Sequence, residues 1–159
     1  MISESSFDVK AIMESALELA REAASLDEVP VGAVVVELAT GRIIGRGMNR
    51  RETRHDPAGH AEIEALQEAA RNLQSWRLMD CALVVTLEPC PMCLAAAQQA
   101  RIDKIIYSAE DPKGGALSLG YRLHEDSRTN HRFIVERFEL AECSDVLREF
   151  FRKKRQKPL

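Results

Sequence analysis

Aromatic side chains are scarce in this chain, making up 5% of its 159 residues, with a single Trp. A core with few rings has to be filled by Ala, Leu, Val and Ile, which suits helices laid closely on a sheet better than a loop-rich scaffold. Also missing is any apolar run near the roughly 20 residues that a membrane span needs. Met1 to Asp8 carry acids and serines where a signal peptide would have a basic stretch followed by an apolar one. The protein is therefore expected to be soluble and intracellular, in the cytoplasm, with no membrane partner. A net charge of −3 excludes a global attraction to polyanions, so any nucleic-acid surface has to be local. Four cysteines are too few for a dense disulfide framework, and two of them form a Cys-x-x-Cys pair, which points to metal or redox chemistry in a reducing compartment.

The hydrophobic content of 45% fills one core of ordinary size, so the chain is expected to form a single domain over 1–159. Val9, Ile12, Met13, Ala16, Leu17, Ala20, Ala23 and Ala24 recur at three and four, one face of a helix. Pro30 opens a β-branched run over 31–36, and after Ala39, Thr40 and Gly41 a second run at Ile43 and Ile44 completes a hairpin. Residues 48–59 read as an irregular polar segment, followed by a helix marked by Ile63, Leu66, Ala69, Ala70 and Leu73. Cys81 to Leu87 reads as a buried strand stopped by Glu88 and Pro89. Pro91 fits the first position of a helix running to Ala100, because proline lacks the donor that position leaves unpaired. A strand over 102–107, a polar stretch over 111–130 with a short helix around 117–124, a strand over 133–138 and a basic helix over 141–157 complete the order α-β-β-α-β-α-β-(α)-β-α, an α/β fold.

The chemistry concentrates in two segments. Zinc takes imidazole nitrogen and thiolate sulfur, and a catalytic zinc keeps three protein ligands with one position left for water. His60, Cys90 and Cys93 supply such a set. Two residues between the cysteines put both sulfurs on one side of a helical turn, and the amide dipoles at that helix start favour the thiolate form. Glu62 stands beside them as a proton carrier. Taken alone, Cys-x-x-Cys is equally a redox pair or half of a structural zinc site, and His-x-Glu occurs by chance in many helices. A structural site would need a fourth ligand from Cys81, Cys143, His55, His124 or His131, none of which has ligand spacing.

His60-Ala61-Glu62 with Pro89-Cys90-Pro91-Met92-Cys93 resembles the signature of the cytidine-deaminase-like superfamily. Asp27-Glu28-Val29-Pro30-Val31-Gly32, Asn49-Arg50, His55-Asp56-Pro57, Asp111-Pro112-Lys113, Asn130-His131-Arg132 and Phe150-Phe151-Arg152-Lys153-Lys154-Arg155 extend the likeness, over nearly the whole chain, to the bacterial tRNA-specific adenosine deaminases. The resemblance implies a three-layer α/β/α sandwich around a mixed five-stranded sheet, bound Zn2+, a homodimer, and conversion of the wobble adenosine of a tRNA anticodon stem-loop to inosine. By the same resemblance Asn49 would contact the base and the backbone at Ala61 its edge. Asp111, Lys113 and Asn130 would line the path of neighbouring nucleotides, and Phe151, Arg152 and Lys154 would meet RNA from the tail.

The residues themselves support part of this. Arg152, Lys153, Lys154, Arg155 and Lys157 beside Phe150 and Phe151 suit phosphate contact and stacking, although basic chain ends are commonly just solvated. Asn49 also reads as a turn residue, and Asp111-Pro112 as a loop signal. Met48, Ala58-Gly59 and 116–120 depart from the family pattern around the pocket, and pocket shape sets substrate choice in this chemistry. A free purine deaminase such as a guanine deaminase shares Glu88-Pro89-Cys90-Pro91-Met92-Cys93 and needs no basic tail. A non-catalytic RNA-binding subunit would have no use for Glu62.

Overall fold

The computed structural model describes residues 7–156; Met1 to Ser6 and, of the basic cluster, Lys157 lie outside them. Helix α1, Val9–Ser25, starts at Asp8, whose Oδ1 accepts from the Ala11 amide at 3.2 Å. Strands β1, Gly32–Glu37, and β2, Ile43–Met48, form the expected hairpin with a register shift between Val35 and Val36. Helix α2, Ala61–Leu73, strand β3, Cys81–Leu87, and helix α3, Pro91–Gln99, follow. Strand β4, Lys104–Ala109, a single 3-10 turn at Leu123–Glu125, strand β5, Ile134–Arg137, and helix α4, Ala141–Gln156, close the order.

The five strands lie in the order β2-β1-β3-β4-β5. Strand β1 pairs antiparallel with both β2 and β3, while β3, β4 and β5 run parallel, so the sheet is mixed. Because side chains alternate along a strand, β1 serves two layers. Ala33 and Val35 pack with Ala61, Ala65 and Leu66 of α2 and with Leu94 and Ala97 of α3. Val34 and Val36 turn the other way, onto Ile12, Met13 and Leu17 of α1 and Cys143 of α4. The result is an α/β/α sandwich. Each fully buried Val, Leu or Ile contributes about 1.5–3 kcal/mol, and β1, β3 and β4 supply Val34, Val35, Val36, Leu83, Val84, Val85, Ile105 and Ile106. No helix among the described residues is long and apolar enough to cross a membrane.

Two departures from the sequence reading have local causes. Strand β2 continues through Gly45 and Gly47 to Met48, where apolar runs alone end it at Ile44. A Cβ at Gly45 or Gly47 would overlap the carbonyl oxygens of Ala65 and Ala61, so these glycines let α2 lie directly against the strand, and they also erase its apolar signal. The helix expected over 117–124 shrinks to the 3-10 turn. Ser118 N and Oγ are both bonded to Glu88, at 2.9 and 2.7 Å, and Gly120 has φ +91°, so no helix can propagate through that segment.

Candidate metal centre and active site

One end of the sheet gathers every element of the site. The start of β1 lies beside the ends of β2 and β3, as the pairs Gly32 with Met48 and Ala33 with Val85 show, and Leu87 of β3 lies beside Ala109 of β4. Helices α2 and α3 both begin there. His60 is the N-cap of α2, with φ −86° and ψ 149°, and Cys90 is the N-cap of α3, with φ −72° and ψ 169°. Neither side chain caps its own helix, so both are available to each other. Pro91 occupies the first turn of α3, as expected.

The His60 Nδ1 lies 3.6 Å from Cys90 Sγ and 3.4 Å from Cys93 Sγ. The three donor atoms fall within 4.8 Å of one another, and no other His, Cys, Asp or Glu among the described residues joins them. All four cysteines are free thiols. Cys81 and Cys143 are buried apart from this group, and burial raises both thiol pKa values, Cys81 to about 11. His131 donates through Nε2 to the Ile102 carbonyl at 2.6 Å, His124 packs against Phe133, and His55 is exposed.

The electrostatics of the trio suit a cation. The hydrogen bond from Cys93, followed by that from His60, holds the Cys90 thiol down at about 4 in spite of burial. The same contact, together with burial, drives Cys93 far upward. Contact with Cys90 raises the His60 ring against the opposing effect of burial. Two thiols and an imidazole thus compete for one charge, and a divalent cation among them would let both sulfurs ionise. Glu62, in the first turn of α2, is only 4% exposed. Burial pushes its carboxyl up, opposed by its own backbone N–H and by the Cys93 thiol.

His60, Glu62 and Cys90 face a cavity of about 190 Å³, walled by the apolar side chains of Val29, Val31 and Leu87. Of the residues expected to touch substrate, Asn49, Ala61 and Asp111 line it. Asn49 is also a turn residue: its Nδ2 donates to the Val29 carbonyl at 3.2 Å and its Oδ1 accepts from the Arg51 amide at 3.2 Å. Lys113 and Asn130 are exposed and do not line the cavity. Phe151 and Lys154 line a second, open hollow of about 630 Å³, which shares Val29 with the first. Arg152 lines neither, and its guanidinium pairs with Glu149 at 2.8 Å.

Three residues with a bearing on the cavity were not singled out by sequence. Glu28 is fully buried and accepts from Glu52 N at 3.0 Å and from Thr53 N and Oγ1 at 2.8 Å, fixing one lip. Although burial opposes its charge, those bonds keep its pKa below the ordinary value. Glu88 lines the cavity and accepts from Asp111 N at 3.2 Å and from Ser118, fixing the other lip. Arg51 lines the mouth. A strand terminator (Glu88), a residue between apolar segments (Glu28) and one arginine among several carry no local mark of such placement.

Over residues 7–155 the chain matches the MafB19-like deaminase family. It is 45% identical over 153 residues to a tRNA-specific adenosine deaminase of Haemophilus influenzae, spanning 96% of this chain and 87% of that one. A solved structure from work on A-to-I editing by tRNA deaminases at the wobble position of transfer RNA superposes with a TM-score of 0.79 at 43% identity, over 87% of this chain and 99% of that one. A guanine deaminase from Nitrosomonas europaea gives a TM-score of 0.73 at 29% identity, over 89% and 83%. Similarity this high and this continuous, on the same sheet and layers, makes the chain a hydrolytic deaminase that belongs to the tRNA-specific adenosine deaminase family.

Proposed function

We propose that the protein converts the wobble adenosine of a tRNA anticodon stem-loop to inosine, with Zn2+ held by His60, Cys90 and Cys93 and protons moved by Glu62. The observation that carries this reading is the meeting of two helix starts: His60, Cys90 and the buried Cys93 converge as three zinc-type donors, and His60, Cys90 and the buried Glu62 carboxyl line a single cavity. At about 190 Å³ that cavity is smaller than the roughly 300–1,000 Å³ of sites for drug-sized ligands. One base fits, and the sugar and phosphates stay outside, as with a base flipped from an RNA loop.

Zinc supplies water that is acidic near neutral pH. Glu62 receives the proton that water loses on attacking C6 of the purine and passes it to the neighbouring ring nitrogen. As the C6–amine bond breaks, the same carboxyl takes up the proton of the new C6 hydroxyl and delivers it to the departing nitrogen, leaving a C6 carbonyl and releasing ammonia. Asn49, Asp111 and the Ala61 backbone are the groups placed to orient the base. Lys113, Asn130, Phe151, Arg152 and Lys154 belong to the path of the flanking nucleotides. Dimerisation is part of the proposal, and the exposed Trp76 and Met79 give the surface apolar area for it.

A guanine-deaminase-like reading rests on the 29% identical structure. Incubation with an anticodon stem-loop and, separately, with guanine, adenine and cytosine separates the two. Ammonia released from the stem-loop is the expected result, and release from a free base alone would overturn the proposal.

A further inference from the structure

Three arginines stand within five residues on the lip between β2 and α2, and two are committed. Arg50 Nε and Arg54 Nη1 lie 2.9 and 2.7 Å from the same Glu64 oxygen. Arg51 is different. Its guanidinium has no ion pair or hydrogen bond among the described residues, and only its backbone is engaged, the N–H by Asn49 Oδ1 and the carbonyl by the Asp56 amide. The side chain is exposed at the mouth of the cavity.

The acids nearby do not neutralise it. Asp111 Oδ1 accepts from the amides of Lys113 and Gly114 at 3.3 and 3.1 Å, and both Glu88 oxygens are taken by Ser118 and Asp111 N. The backbone on either side of Arg51 is pinned as well, by Asn49 before it and by Glu28 through Glu52 and Thr53 after it. A fixed backbone thus presents an uncommitted planar fork, the group best suited to bidentate phosphate recognition. Most tail cations are less free: Arg155 lines neither hollow, Arg152 and Lys153 share Glu149, and Lys154, at the second hollow, lies 2.7 Å from Asp27. A phosphate arriving there has to displace a carboxylate.

Since the cavity has room for the base alone, the phosphates flanking the reacting nucleotide must remain at its mouth. We propose that Arg51 clamps the backbone phosphate adjacent to the deaminated nucleotide, and so makes the site selective for polynucleotide over free base. The inference rests on RNA being the substrate. Such a contact holds ground state and transition state alike, so its loss raises KM and spares kcat.

Steady-state deamination of an anticodon stem-loop by the zinc-loaded wild type, Arg51→Ala and Arg51→Lys over a salt series tests this. In Arg51→Ala, KM is expected to rise roughly tenfold with kcat near wild type, and the slope of log(kcat/KM) against log salt to flatten by about 0.7, the value for one phosphate contact on a single strand. Arg51→Lys keeps the charge and the slope but recovers only part of the KM, because it loses the fork. The Arg51 side chain holds nothing in the fold, so the thermal midpoint should not move. An unchanged KM and slope in Arg51→Ala, with the wild type editing the stem-loop, overturns the clamp alone. A wild type that releases ammonia from free base and never from the stem-loop overturns the RNA reading and the clamp with it.

Discussion

Helix α1 and the pair α2 and α3 begin in different ways. Asp8 caps α1 by accepting from the Ala11 amide, the ordinary way to satisfy a first-turn donor, worth about 0.5–2 kcal/mol. His60 and Cys90 hold the same N-cap position in α2 and α3 and make no such bond. Their side chains turn outward to meet each other, and the uncapped first turns present their positive ends to the sulfurs and to any anion in the cavity. The chain thus forgoes local stabilisation at the two helix starts where the proposed chemistry is placed, and keeps it at the start of α1.

That contrast can be broken by substitution. The largest effect is expected from Glu62→Gln, which leaves the α2 start intact but removes the proposed proton carrier. Its kcat should fall by about 10²–10⁴-fold, measured as ammonia release, with bound zinc unchanged by elemental analysis. Unaltered turnover would remove Glu62 from the mechanism, and lost zinc would make it structural. A smaller effect is expected at the other kind of start: Asp8→Ala should lower the unfolding free energy by about 1 kcal/mol in urea titration with kcat untouched. The smallest change in stability is the most telling. Asn caps helices well, so in zinc-free protein His60→Asn should raise the denaturation midpoint by up to about 1 kcal/mol equivalent, while the zinc affinity and activity of the loaded enzyme are lost. A lower midpoint in that variant would show that His60 stabilises the helix start and that no trade was made.

The same distinction explains what was legible in the sequence. The trio of zinc-type donors shows because its members sit at fixed spacing next to helix starts, and a period of 3.6 marks α1 and α2 wherever one face is buried. Strand β3 shows because both of its faces are buried and the run is continuous. Strand β2 shows only in its first half, because what it packs against is a backbone, met by glycines. Glu28 and Glu88 were hidden for a related reason. A carboxylate becomes a loop anchor only when donors 23 to 30 residues away arrive around it, and no local pattern encodes that arrival. Arg51 differs from Arg50 and Arg54 only in lacking Glu64 for a partner, a distinction that exists in three dimensions alone.

Glycine 47 has a consequence beyond strand packing. Its missing side chain is what allows the Ala61 carbonyl to rest on the strand, and Ala61 is flanked by His60 and Glu62. The proposed metal ligand and the proposed proton carrier are therefore both gauged from one bare stretch of β2. Even a methyl group at Gly47 would displace this part of α2, and since a displacement of about 1 Å can cost a catalyst roughly 10²-fold, a residue outside the cavity lining governs where the start of α2 stands.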